Sequence, residues 1–564
     1  MTVRQIEGEF QTVVEVLRAA ASANADAEAY VEPATHAAPR RSVTFAQWDR
    51  AADGVAGLFA GRGVVRGSVV CLLLPSSIDY MICYAAATRL GAVTSGINLR
   101  LGAEEARSIL QRTQPSVTVV EDGAEAAPGP VGARLARSEV RRASRGPALR
   151  FWPEIEPSDP VAVVWTSGTT GLPKGAVFDH ASLAAVAEGS DVLSEPGDRR
   201  LSPLPFAHVG SMTRIWDEIA NGVTTVITPT PWRAADAVRI MAEERITVAQ
   251  GVPTQWALVL AHPELDAADL STLRIAGTGA SRVPSELVAD LRARLGVPVV
   301  VRYTSTEASL GTGTVPGDPD EVVATTVGRP VPGVQMAIAD DDGRAVAAGE
   351  VGRVRLRSAA VMRGYWGGPA TGPGAEGAVY DREATGAVLA DDGWLTTGDF
   401  GFTDPGGCLH LVGRANELYI RGGYNVYPAQ VEGVLGGHPD VTQVAVVGVP
   451  DPVLGEIGVA FVVPTTGPPP DPADLLSGLR ALARSALADY KAPDRVVVVD
   501  SLPLTSMMKV DKKSLAERAG QTTPEPPTGS DGGRPDHRPA APSRPAVSSR
   551  PANPPRPENG VRAS

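Results

Sequence analysis

Apolar residues along most of this chain fall in short β-branched runs separated by stretches with helical spacing. "TFAQWDRAADGVAGLFA" repeats its apolar positions every three or four residues, which predicts a helix. "GSVVCLLLP" reads as a buried strand, and "DYMICYAAATRLGAV" as a helix ending at Gly91. "SVTVV", "VAVVW", "TTVIT" and "VPVVVRY" are further short strands. Strands placed between helices predict α/β layers from about residue 10 to 400. From about 350 to 412 the pattern turns β-rich, with many glycines. After "GRANELYIRGGYNVYP" a smaller α+β unit is expected to about residue 519, built on "VTQVAVVGV", "GVAFVV" and "RVVVVD". The reading is a large N-terminal domain over 1–415, with layered α/β subdomains and a β-rich subdomain, then a small α+β domain over 416–519. Residues 520–564 are rich in Pro, Ser, Gly and Arg and almost lack large apolar side chains, so a disordered tail is expected there.

Length and charge narrow the function. A chain of 564 residues exceeds one compact core. Hydrophobic content of 43% and charged content of 21% suit a globular enzyme. The net charge of −12, without a long basic run, argues against a nucleic-acid partner. The longest apolar runs are too short for a membrane span. The opening "MTVRQIEGEF" lacks a signal-peptide core, and Cys71, Cys83 and Cys408 have no metal-ligand spacing. Buried thiols in the cytoplasm are the expectation.

The first stretch with a chemical message is "WTSGTTGLPKGAV", which follows the apolar run "VAVV". Thr166, Ser167, Gly168, Thr169, Thr170 and Gly171 bring hydroxyls and bare backbone N–H groups together, and Lys174 adds a cation. Such donors can wrap a polyphosphate. The spacing is not that of the ordinary P-loop, because Gly175 follows the lysine.

With "GEVGRVRLRSAAVMRGYW", "GWLTTGDFGFTD", "GRANELYIRGGYNVYPAQVE" and "YKAPDRVVVVDSLPLT" in matching order, the sequence resembles the adenylate-forming superfamily. That superfamily includes acyl-CoA synthetases, firefly luciferase and peptide-synthetase adenylation domains. The resemblance covers about residues 10 to 519. It implies a two-step reaction, in which a carboxylate attacks MgATP to give an acyl-adenylate, and CoA then displaces AMP. In "YTSTE", Tyr303 would pack on adenine, Thr306 would meet phosphate, and Glu307 would help hold Mg2+, a hard cation suited to oxygen ligands. Thr304 stands where the family usually has glycine, beside the acyl pocket. Gly277, Thr278, Gly279, Ala280 and Ser281 resemble the segment lining the adenine and acyl sites. Asp399 and Arg414 match the residues that bind ribose hydroxyls, a task suited to a carboxylate acceptor. His208, with Val209 and Gly210, matches the segment that shapes access to the carboxylate, and His208 is a candidate for proton transfer. No aspartate stands in "FAHVGSM" to pair with an amino acid's amine. Asn416 occupies the hinge position about which the family's small domain rotates, and Arg421, Gly422 and Gly423 match the passage for pantetheine.

The family's lysine segment reads "LPLTSMMKVDKK" in this chain, which puts Lys509 at the adenylation lysine. Lys512 and Lys513 are expected in solvent. Met507 and Met508 replace the usual threonine and glycine, and Met508 resists the backbone angles that glycine permits. The first expectation is an AMP-forming ligase that joins an apolar carboxylic acid to CoA. A second is an adenylation-impaired ligase that thioesterifies a preformed acyl-adenylate, with a separate adenylating enzyme as partner. A third, of another class, is a non-catalytic nucleotide-binding regulator. Homo-oligomerisation is left open.

Overall fold

The computed structural model describes residues 10–124, 129, 132–149, 152–166, 173–280, 283–369, 378–465, 471–505 and 508–521. Residues up to Gln521 form one compact unit. The tail expected at 520–564 lies outside the described residues from Thr522 onward.

Among the described residues, four sheets carry the fold. The first has a parallel centre of Glu28–Glu32, Arg199–Ser202, Thr224–Ile227, Val248–Gly251, Ile275–Gly279 and Val299–Tyr303. The second has a parallel centre of Val69–Leu73, Val93–Gly96, Val117–Val120, Ala133–Ala136 and Pro160–Thr166. Antiparallel strands Lys174–Asp179 and Gly364–Pro369 extend it at one side. Helices cover these sheets, as near-continuous apolar strands require. The helix Phe45–Ala60 starts at Thr44, whose hydroxyl accepts from Gln47 N–H. It buries Phe45, Trp48, Val55 and Phe59 in the largest core cluster. The helix Ile78–Arg89 stops two residues before the expected Gly91, whose φ of 64° turns the chain.

A third sheet is antiparallel: Gln335–Ala339, Gly352–Arg357, Leu395–Thr403 and Leu409–Arg414. It is the β-rich stretch that the glycine pattern predicts. The last sheet pairs Tyr419–Arg421, Tyr424–Val426, Val441–Asp451, Gly455–Pro464 and Arg495–Val498. It has its own apolar clusters, around Val446 and Leu479 on one face and Phe461 and Leu515 on the other. Cys71, Cys83 and Cys408 are buried and unpaired. No helix among the described residues is long and apolar enough to cross a membrane.

One buried carboxylate joins three elements of the large domain. Asp79 accepts from Arg41 at 2.7 Å, Arg137 at 2.5 Å and Arg141 at 2.8 Å. Burial raises its pKa, but Arg41 and Arg137 outweigh burial and hold the group at about 2. Its contribution to stability is therefore present above the ordinary aspartate pKa and is lost as pH falls toward 2. Asp79→Ala leaves these guanidiniums without their shared partner and should cost about 3 kcal/mol or more, read as a lower denaturant midpoint.

Candidate active site

Two neighbouring parallel strands deliver the first half of the site. Gly277 lies opposite Val300, and Gly279 opposite Arg302. "GTGA" and "YTSTE" therefore emerge at the same edge, where parallel α/β sheets bind ligands. A Cβ on Gly279 would lie 2.2 Å from the Arg302 carbonyl oxygen, so the close approach requires glycine. Ala280, with φ of 65°, holds a left-handed conformation that its Cβ disfavours. Among the described residues, the buried Thr278 hydroxyl has no hydrogen-bond partner.

Sheet register supplies the next pair. Asp399 stands directly opposite Arg414 on adjacent antiparallel strands. Arg414 Nε donates to Asp399 Oδ1 at 3.1 Å, and the Tyr303 hydroxyl donates to Asp399 Oδ2 at 2.8 Å. Burial, and then the Asp399 charge, push the Tyr303 pKa well above its ordinary value, so the phenol stays a donor. One carboxylate thus ties the "YTSTE" strand to the β-rich sheet.

The lysine loop closes on this cluster. Leu504 and Val510 pair as an antiparallel bridge. Thr505 N–H donates to the Lys509 carbonyl at 2.7 Å, and Met508 N–H donates to the Thr505 carbonyl at 3.0 Å. Met508 itself has φ of 60°. This is the left-handed position in a short hairpin loop where glycine is favoured. Burial, and then the Arg414 guanidinium, push the Lys509 ammonium down to about 8, while Asp399 and Glu417 pull it up. His208 lies in the same field: burial, and then Lys509, lower it to about 4. It is neutral at pH 7, and its Nδ1 accepts from Gly210 N–H at 3.2 Å. Residues from positions 208, 399, 414 and 509 therefore share one electrostatic neighbourhood.

A second group sits across the hairpin formed by Pro160–Thr166 and Lys174–Asp179, where Thr166 faces Lys174. The Thr166 hydroxyl donates to the Lys174 carbonyl at 3.2 Å. The Lys174 ammonium lies 5.2 Å from the Tyr365 ring centroid. The Tyr365 hydroxyl donates to Glu307 Oε1 at 2.7 Å. Burial, and then Glu307, raise the Tyr365 pKa and keep it protonated. Tyr365 joins the two candidate phosphate-site residues, and the sequence reading assigned it no role. Its one signal was an aromatic in "MRGYW".

The remaining candidates stand as follows. Ser167, Gly168, Thr169, Thr170, Gly171, Ser281 and Met507 lie outside the described residues. Val209 and Gly210 open the short helix Val209–Met212. Thr304 is exposed, with its hydroxyl on the Ser305 carbonyl at 3.2 Å, and Thr306 is half-buried. Asn416 is exposed in a turn between two sheets. Gly422 and Gly423, at φ of 58° and 88°, form a two-residue hairpin turn, which by itself explains the glycine pair. Arg421 is held by Asp494 at 2.6 Å. Lys512 departs from the expectation of a solvated side chain. Its Nζ lies 2.7 Å from Glu417 and 2.8 Å from Glu432, and these carboxylates draw it inward.

The AMP-binding enzyme family matches residues 17–366, and the AMP-binding enzyme C-terminal domain matches residues 430–509. The chain belongs to the AMP-binding enzyme family. It is similar to the indoleacetate–CoA ligase of Aromatoleum aromaticum, at 34% identity over 88% of this chain and 98% of that one. It is 32% identical to the long-chain-fatty-acid–CoA ligase FadD13 of Mycobacterium tuberculosis, over 90% of this chain and 99% of that one. Among solved structures, an anthranilate CoA ligase, AuaEII, in complex with anthranoyl-AMP aligns with a TM-score of 0.80 at 25% identity, over 92% of this chain and 99% of that one. The mixed α/β architecture is the one these adenylate-forming ligases share.

Two measurements probe the geometry. If the Lys509 ammonium acts as a cation, ATP–pyrophosphate exchange should decline as pH rises through about 8, where the proton is lost. Lys509→Arg should shift that limb upward. Tyr365→Phe removes the hydrogen bond to Glu307 and should lower exchange by about tenfold, the equivalent of about 1.4 kcal/mol.

Proposed function

We propose that the chain is an AMP-forming ligase that activates an apolar carboxylic acid as its acyl-adenylate and transfers it to CoA. The observation that carries this reading is the convergence of Lys509, Arg414, Asp399 and His208 at the edge that bears "GTGA" and "YTSTE". Lys509 would stabilise charge developing between the carboxylate and the α-phosphate. Asp399 and Arg414 would hold the ribose, and Tyr303 would pack on adenine. Lys174 and the hydroxyl-rich loop that precedes it would hold the polyphosphate. Glu307, oriented by Tyr365, would hold Mg2+ together with Thr306, and the metal would neutralise phosphate charge when bound. The acids in the names of the relatives, indoleacetate and long-chain fatty acids, each combine one carboxylate with an apolar body. That pattern supports an apolar acid.

The small domain of this reading spans 416–519 and turns about Asn416 between half-reactions. In the second, the Arg421–Gly423 turn would line the passage for CoA. The test is to supply MgATP and CoA with indoleacetate, ferulate and palmitate in turn, and to measure AMP formed and free thiol lost. AMP without thiol loss, or neither product with any of these acids and a wider panel, would overturn the assignment.

Met508 favours a second reading. A residue with a Cβ at φ of 60° costs about 1–2 kcal/mol relative to ordinary backbone. That cost falls on the conformation that brings Lys509 to the site, so it weighs on adenylation and spares thioester formation. In this reading the ligase works mainly on a preformed acyl-adenylate. Synthetic acyl-adenylate with CoA should then be turned over faster than acid with ATP and CoA. Met508→Gly should raise the ATP-dependent rate by about tenfold and leave the adenylate-dependent rate unchanged. Equal rates by the two routes, with no gain from Met508→Gly, would eliminate this reading.

A further inference from the structure

Lys512 carries a cation held by two carboxylates outside the candidate site. Its Nζ is shared by Glu417 at 2.7 Å and Glu432 at 2.8 Å. Glu417 lies one residue past the candidate hinge Asn416, and its backbone N–H donates to the Arg414 carbonyl at 3.2 Å. Glu432 sits on the helix Pro428–Leu435 and also accepts from Val446 N–H at 2.8 Å. Lys512 opens the helix Lys512–Gln521, three residues beyond Lys509. One ammonium therefore ties the hinge turn, a helix of the small domain and the base of the lysine loop.

The field around Glu417 gives this tie a chemical meaning. The groups that act on Lys509 are Arg414, which repels its charge, and Asp399 and Glu417, which attract it, while His208 feels Lys509 in turn. Asp399 is occupied by Tyr303 and Arg414. Glu417 is the other carboxylate whose charge acts on Lys509, and Lys512 occupies it at 2.7 Å. Burial pulls Lys512 toward neutrality, but Glu432 and Glu417 outweigh burial and keep it charged. With that partner removed, Glu417 would be free to pair with the cations its charge already acts on, Arg414 and Lys509, and Arg414 is already bonded to Asp399.

We propose that Lys512 is a positioning residue for adenylation: by holding Glu417, it keeps that carboxylate from capturing Lys509, so that Lys509 is free to meet the substrate. The proposal rests on the reading of Lys509 as the adenylation lysine. It differs from a structural role in one consequence, because the damage done by losing Lys512 should be repaired by also discharging Glu417.

The experiment follows Lys509 in the full-length protein without needing the acid. Competitive acetylation with acetic anhydride across pH, read by mass spectrometry of the Lys509 peptide, gives its apparent pKa. Lys512→Met should raise that pKa by about one unit and lower reactivity at pH 8 several-fold. Lys512→Met with Glu417→Gln should return both toward the wild-type values, and Lys512→Arg should leave them unchanged. Wild-type labelling in Lys512→Met, or a double variant as altered as the single one, would overturn the proposal. Thermal unfolding of each variant identifies a collapse of the fold. If Lys512→Met does not fold, Lys512→Gln, which removes the charge but keeps a polar group between the two carboxylates, should show the same raised pKa, and wild-type labelling there counts against the proposal. Adenylation by Lys509→Ala tests the underlying reading separately. Undiminished ATP–pyrophosphate exchange in that variant removes the reading, whereas abolished exchange alongside wild-type labelling in Lys512→Met removes the proposal alone.

Discussion

A buried carboxylate bonded to Arg414 and sharing its field with Lys509 is the constraint on which the candidate site depends. Arg414 and Lys509 repel each other in a partly dehydrated space, and Asp399 lies between their demands. Such an arrangement persists only when the backbone fixes each partner in advance. Antiparallel register does so for Asp399 and Arg414, and the hydrogen-bonded loop from Thr505 to Lys509 does so for the lysine. The Tyr303 hydroxyl fills the remaining carboxylate oxygen, and this links the parallel sheet to the β-rich one. In the proposed function this becomes a preorganised field for a phosphate-bearing ligand, with a positive charge set in place before the substrate arrives.

The side proposed to hold phosphate is built on a different principle. Lys174 and Glu307 are joined through the Tyr365 ring and hydroxyl, with the cation on the aromatic and the carboxylate on the phenol. The phenol orients the glutamate by a neutral donor. Its pKa is raised by burial and by the carboxylate, so it stays protonated and keeps donating to Glu307.

Much of this was legible in the sequence. Apolar runs and capping residues located the strands and helices, because period and caps are local properties. Motif order marked Tyr303, Glu307, Asp399, Arg414 and Lys509 as candidates, and the fold brings Tyr303, Asp399 and Arg414 into contact. What the sequence hid is what depends on long-range packing. Tyr365 reaches Glu307 from 58 positions away, and Lys512 reaches Glu417 from 95. A lysine in "KVDKK" looks solvated because charge runs usually are; only the folded chain brings two carboxylates to it. The glycine pair at 422–423 carried the opposite ambiguity, since a tight turn and an open passage demand the same residue.

The left-handed backbone at Met508 also bears on how often the chain occupies the arrangement described above. Strain confined to one conformation acts as a bias against that conformation, whatever its effect on the chemistry. About 1 kcal/mol shifts a two-state balance roughly fivefold. Under the proposed function, a small domain that swings between two arrangements in each cycle would, with methionine at this place, spend less time with its lysine docked and more time in the other pose. The side chain would then set a resting position for the cycle, and substrate binding would have to supply the free energy that glycine leaves unspent.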